Sequence, residues 1–202
     1  MEEHYGAEAV DYLAEPLLSG IYGGNPSDLS VTSVLPRFVE LAAKYGSLTR
    51  GVLAERAKAA NADFSRIADK YSFTRNGRLA RYFAGITLHD MGDNSGGEKQ
   101  LQEVAGSHDK EVASLAKLAL ASLDQDTGKT QQAIDLYKGL IDNPTTSVGK
   151  TTAQFELATL YEANHQPLEA RKLYEQMQKA DPTGQVGQLA AQKLQTLRPP
   201  QP

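Results

Sequence analysis

Apolar residues recur at three- and four-residue steps through most of the chain, the spacing of one buried helix face. The pattern is cleanest over residues 151–182. Phe155, Leu157, Ala158, Leu160 and Tyr161 mark one short helix, and Leu168, Ala170, Leu173, Tyr174 and Met177 a second. Asp181-Pro182 predicts the end of that second helix, because proline disfavours helical backbone in the residue before it. A pair this small cannot bury its apolar faces alone, and the pattern repeats upstream. Leu120-Ala121, Gly128, Ala133, Tyr137, Leu140 and Pro144 have the same order, with Ala133 and Tyr137 each 37 residues before Ala170 and Tyr174. A weaker copy has Ala84-Gly85, Leu88, Gly92, Gly97, Leu101 and Val104, and both Gly92 to Gly128 and Gly97 to Ala133 span 36 residues. Three copies at one period predict an all-α solenoid of helical hairpins, with repeats at about 78–109, 114–145 and 151–182.

The flanks extend the picture. Residues 54–75 predict a helix with Ala60, Phe64, Ile67 and Tyr71 on one stripe, broken at Asn76-Gly77. It reads as the second helix of an earlier repeat. Residues 185–197, with Val186, Leu189, Ala190 and Leu194 apolar, predict a helix that caps the array, and 198–202 form a tail. Residues 1–53 have another texture. Pro16, Pro26 and Pro36 interrupt them, and Gly20, Gly23 and Gly24 crowd one turn. A helix over 7–18, a loop over 19–26 and a helix over 36–45 ended by Gly46 are expected. This short irregular and helical stretch is not expected to be an independent domain, whereas 54–197 form the repeat array.

Composition narrows the function classes. The chain has 202 residues, 40% of them hydrophobic, which is enough for a core. A net charge of −4 with interspersed signs favours neither nucleic acid nor a membrane surface as partner. Cysteine is absent, which removes disulfides, thiol catalysis and thiolate metal ligands. No apolar run approaches the roughly 18 residues of a membrane span. The acidic start, MEEHYGAEAVDYL, lacks the basic-then-apolar order of a secretory signal.

Candidate chemistry is sparse. Gly128-Lys129-Thr130 matches the end of a phosphate-binding loop, but Leu123 stands where that loop needs its first glycine. A turn between repeat helices accounts for it. Asp124, Asp126 and Gly128 have the spacing of a calcium loop, but Asp135 occupies the position of its last glutamate, and these acids are expected to be solvated at a helix end. His4, His89, His108 and His165 are scattered without a second histidine at helical spacing. No serine sits in a nucleophile elbow. Neither a catalytic set, a metal site nor a bound cofactor is expected.

Leu157-Ala158, Tyr161, Ala170, Tyr174 and Pro182, with Leu120-Ala121, Ala133 and Tyr137 upstream, resemble the tetratricopeptide repeat pattern. Repeat two departs from it with Asp124 at the tyrosine position, and repeat one with Leu88 and Gly97. The small residues allow two helices to cross closely and bulky ones fill the adjoining gaps. The resemblance implies a concave groove lined by the first helix of each repeat. Its expected positions are Tyr82, Ile86, His89 and Asp90, then Leu118, Ser122, Gln125 and Asp126, then Phe155, Thr159, Glu162 and Ala163. Tyr82 and Phe155 have an alternative role as core residues. The implied ligand is a helix or extended segment of a partner protein. The groove lacks the Lys/Asn set that clamps a C-terminal carboxylate in some members.

Two further resemblances sit on either side of residue 53. Residues 60–197, through NADFSRIADKYSFTRNGRLARYFAGITLHDMGD, EVASLAKLALASL and AIDLYKGLIDNPTTSVGKTTAQFELATLYEA, are similar to the periplasmic repeat domain of the ancillary SecYEG translocon subunits. That implies a periplasmic or inner-membrane-associated setting, whereas the missing export signal leans toward the cytoplasm. Residues 4–53, through EPLLSGIYGGNPSDLS and the blocks PRF and YGSL, resemble an internal segment of protoporphyrinogen oxidase, a flavin enzyme of haem biosynthesis. The dinucleotide fingerprint that should precede such a segment is absent. The expected function is therefore non-catalytic protein–protein interaction, as scaffold or adaptor. The alternatives are a fragment of the oxidase lacking its flavin-binding segments, and a rearrangement or assembly fusion with no combined function.

Overall fold

The computed structural model describes residues 36–197, and the expected elements before residue 36 and after 197 lie outside them. Among the described residues every regular element is an α-helix. They are α1 (Pro36–Tyr45), α2 (Leu48–Lys70), α3 (Arg75–Asp90), α4 (Asn94–Ala105), α5 (Lys110–Asp126), α6 (Thr130–Asp142), α7 (Lys150–Ala163), α8 (Pro167–Ala180) and α9 (Gln185–Thr196). The chain divides into two compact units between Arg56 and Ala57, inside α2.

In the first unit α1 ends where Gly46 takes a positive φ of 74°, as its sequence position predicts. Gly51 then lets the first turns of α2 lie against Leu41: a Cβ there would come within 2.9 Å of the Leu41 Cβ. The Tyr45 hydroxyl donates to Glu55 at 2.8 Å, fastening the two helices.

The second unit is a chain of helices in which each of α3 to α9 packs on the next, and α3 also touches α5. α3–α4, α5–α6 and α7–α8 are the three predicted hairpins. They are joined internally by one turn made three times. The N–H groups of Asp93, Lys129 and Gln166 donate to the carbonyls of Leu88, Asp124 and Tyr161 at 2.9, 2.7 and 2.8 Å. Those of Gly92, Gly128 and His165 donate to His89, Gln125 and Glu162 at 2.8, 3.1 and 3.1 Å. This pair of bonds satisfies carbonyls that a helix end otherwise leaves unmet, and it requires a left-handed residue after the cap. Gly92, Gly128 and His165 supply it, with φ of 86°, 77° and 57°.

The hairpins close on small residues. Ala121, Ala133, Ala158 and Ala170 are all completely buried where α5 crosses α6 and α7 crosses α8. In the first hairpin Gly85 and Gly97 take their places. Around these crossings lie two apolar clusters. One joins Leu101 and Val104 of α4 to Val112, Ala116, Leu120 and Leu123 of α5. The other runs from Ala121 through Tyr137, Leu157, Leu160, Tyr174 and Met177 to Ala190 of α9. Apolar burial of this kind stabilises by about 25 cal/mol per Å² and is the main force holding the array.

Two expectations about the flanks need correction. The break after α2 falls at residues 71–74, not at Asn76-Gly77, which lie inside α3. Thr74 caps α3 by accepting from the Gly77 N–H at 3.0 Å, and Gly77 is there because a Cβ would strike the Tyr71 carbonyl oxygen. The packed stripe of α2 is also displaced from the one expected. Asn61 donates to the Ala84 carbonyl and the Thr87 hydroxyl of α3 at 2.9 and 2.8 Å, Phe64 stacks on Phe83 at 5.3 Å, and Ala68 is buried. Ile67 and Tyr71 stay exposed. The polar residue that begins this stripe, Asn61, hid it from a reading based on apolar spacing. On α9, Ala190 is buried and Val186 and Leu194 pack on the larger cluster, while Leu189 is exposed.

Candidate interaction surface

The twelve positions expected to line a groove fall on α3, α5 and α7, the first helices of the three hairpins. They do not behave alike. Tyr82 and Ile86 are half-buried against the cluster of Leu101 and Leu120, and Leu118 and Phe155 pack on the larger cluster. Burial raises the Tyr82 phenol above its ordinary range. These four side chains are shared between core and surface. Asp90, Ser122, Asp126 and Ala163 are exposed, and Gln125 and Thr159 partly so.

Two groups of these positions meet other residues. His89 lies with Nε2 3.1 Å from Asp126 Oδ2, which brings α3 and α5 together, and with Nδ1 2.7 Å from Asn94 Oδ1 on α4. Phe155, Thr159 and Glu162 gather around Tyr174 of α8. The Phe155 ring stands edge-on to Tyr174 at 6.0 Å, and the Tyr174 hydroxyl donates to Glu162 Oε1 at 2.5 Å. Glu162 also accepts from Lys193 of α9 at 3.2 Å, so its carboxylate ties three helices. Burial first, then the bond to Glu162, pushes the Tyr174 phenol far up, which keeps it a neutral donor.

Asp124 was expected to be solvated, and it is buried at 3% exposure. It occupies the place held by Leu88 and Tyr161 in the neighbouring repeats, on the inner side of the turn. Lys129 packs over it, with Nζ 3.8 Å from Asp124 Oδ1 and 2.6 Å from Glu98 Oε2. Asp124 Oδ1 has no hydrogen-bond partner. Desolvation therefore raises the Asp124 carboxyl above its ordinary value despite the nearby ammonium. Asp124 and Asp126 thus turn to different partners. Lys129, the lysine of the phosphate-loop-like triplet, is committed to Glu98 and Asp124. Among the described residues no three His, Cys, Asp or Glu side chains converge as metal ligands. No described helix is long and apolar enough to cross a membrane.

Comparison with known proteins adds two kinds of likeness. Short stretches match porphyrinogen oxidases: mitochondrial protoporphyrinogen oxidase of Nicotiana tabacum at 33% identity over 60 residues, 30% of this chain and 12% of that one. Coproporphyrinogen III oxidase of Staphylococcus aureus (strain NCTC 8325 / PS 47) matches at 42% over 53 residues, 26% of this chain and 11% of the oxidase. That of Bacillus subtilis (strain 168) matches at 47% over 47 residues, 23% and 10%. The chain thus spans only about a tenth of the length of these relatives. No solved structure gives a significant match. The family described as "Tetratricopeptide repeat-like domain" matches over residues 37–198, the full run of helices from α1 to α9. With the triplicated turn and the small-residue crossings, that match places the chain in the tetratricopeptide repeat-like domain family.

Proposed function

We propose that the chain is a non-catalytic scaffold or adaptor that binds a helix or extended segment of a partner protein across the first helices of its repeats. The observation that carries this reading is the contact between α3 and α5. Two successive first helices lie together while Asp90, Ser122 and Asp126 on them remain exposed beside half-buried Tyr82 and Ile86. Apolar side chains rimmed by polar ones suit a peptide ligand. We further propose, on the sequence resemblance of residues 60–197 to ancillary SecYEG translocon subunits alone, a role at the cell envelope with a partner in protein translocation.

Site-specific photo-crosslinking tests it. A crosslinker at Ser122 or Asp90 is expected to trap one common partner, and a crosslinker at exposed Lys138 on α6 is expected not to trap it. Equal yields from both faces would overturn the reading. Recovery of the partner with translocon components tests the envelope role.

A further inference from the structure

His89 stands in the last turn of α3 with an oxygen acceptor at each ring nitrogen: Asn94 Oδ1 at 2.7 Å and Asp126 Oδ2 at 3.1 Å. A neutral imidazole has one N–H and donates to one acceptor, whereas the imidazolium donates to both. Asn94 opens α4 and Asp126 closes α5, so the ring joins both helices of the first repeat to the first helix of the second. We propose that His89 is a proton-operated latch that fastens repeat one to repeat two. This inference does not depend on what the groove binds.

The charges around the ring favour the cation. α5 presents Asp126 and α3 itself presents Asp90. α4 presents neutral Asn94, its Glu98 being held by Lys129 of α6, which also lies against Asp124 of α5. α2 meets α3 through uncharged Asn61 and Phe64, and through an ion pair of Asp69 with Arg81, which stands eight residues before His89 on α3. The bond to Asn94 raises the basicity of His89 above the ordinary value of 6.5; burial opposes it, and Asp126 and Asp90 add to it. A group more basic when folded contributes stability that is fully present below its unfolded pKa. That stability is lost as pH rises through the folded one. The latch is therefore closed in mild acid and slack in mild base.

The test uses the whole chain. The His89 ring is followed by NMR titration, folded and in urea, and urea midpoints are measured at about pH 5.5 and about pH 8, on either side of the histidine range. The comparison is with His89→Gln and Asp126→Asn. Folded His89 is expected to titrate above its unfolded counterpart, and Asp126→Asn is expected to move it down. The wild type is expected to lose more of its midpoint between the two pH values than either variant. A folded His89 titrating at or below the unfolded one would mean that the Asn94 amide is turned to donate to a neutral ring, and the latch would be refuted. Parallel midpoints in wild type and His89→Gln would refute it equally, and the wild-type titration decides alone if a variant does not fold.

Discussion

Gly97 approaches the backbone of Gly85 so closely that a Cβ on it would lie 2.9 Å from the Gly85 carbonyl oxygen. The equivalent crossings of the next two hairpins have room for alanine, at Ala133 and Ala170. The first hairpin is thus the tightest of the three. Gly97→Ala is expected to lower stability by about 1–3 kcal/mol, because the clash is with backbone and outweighs the gain in helix propensity. Gly139→Ala is the control. It lies in α6 with nothing within 4 Å of its added methyl, and it is expected to gain about 0.5–1 kcal/mol. Urea unfolding of the pair measures both signs.

Ala133→Leu and Ala170→Leu would put three more carbons into fully buried crossings. Each is expected to cost about 1–3 kcal/mol through overpacking. Thermal unfolding at the wild-type temperature would show that these alanines are not the contact points of the hairpins.

His165 occupies, with a φ of 57°, a turn position where the other two hairpins have glycine. A left-handed non-glycine residue costs about 1–2 kcal/mol. His165→Gly is therefore expected to raise stability by about 1 kcal/mol, and Gly128→Ala to lower it by a similar amount. Differential scanning calorimetry on the two variants checks the pair.

Asp124 holds its proton more tightly in the folded chain than the ordinary carboxyl value of 3.8. The folded state then binds more protons than the unfolded one as pH rises through that range, so stability falls there and the charged form is a net cost at neutral pH. Asp124→Asn is expected to raise the unfolding temperature at pH 7. The difference should vanish in acid below the ordinary carboxyl range, where the aspartic acid is neutral in both states. A lower unfolding temperature at pH 7 would mean that the attraction of Lys129 dominates instead.

The hairpins were legible in the sequence because their determinants are local and periodic. Ala133 and Ala170 mark crossings, Gly92 and Gly128 mark turns, and Pro182 marks a stop. The side-chain ties were not legible. His89 and Asp126 are 37 residues apart, and Glu162 and Lys193 are 31 apart. Their meeting depends on how each helix is rotated about its axis, which apolar spacing fixes only to within a face. Asp124 was misplaced because a charged residue at a helix end is usually solvated. The signal available was its register with Leu88 and Tyr161. Asn61 shows the converse, a polar side chain at a packed position, where two hydrogen bonds replace apolar contact.

The recurrence of one turn geometry at Gly92, Gly128 and His165 has an evolutionary consequence. Chain cut after one such turn can be joined to chain starting after another without altering the local backbone. In-frame duplication of residues 129–165 would insert a second copy of α6 and α7 between turns that already fit it, and deletion of the same span would reconnect like to like. Length in such an array is a quantity that recombination can adjust in steps of one hairpin, with neighbouring units supplying the new contacts.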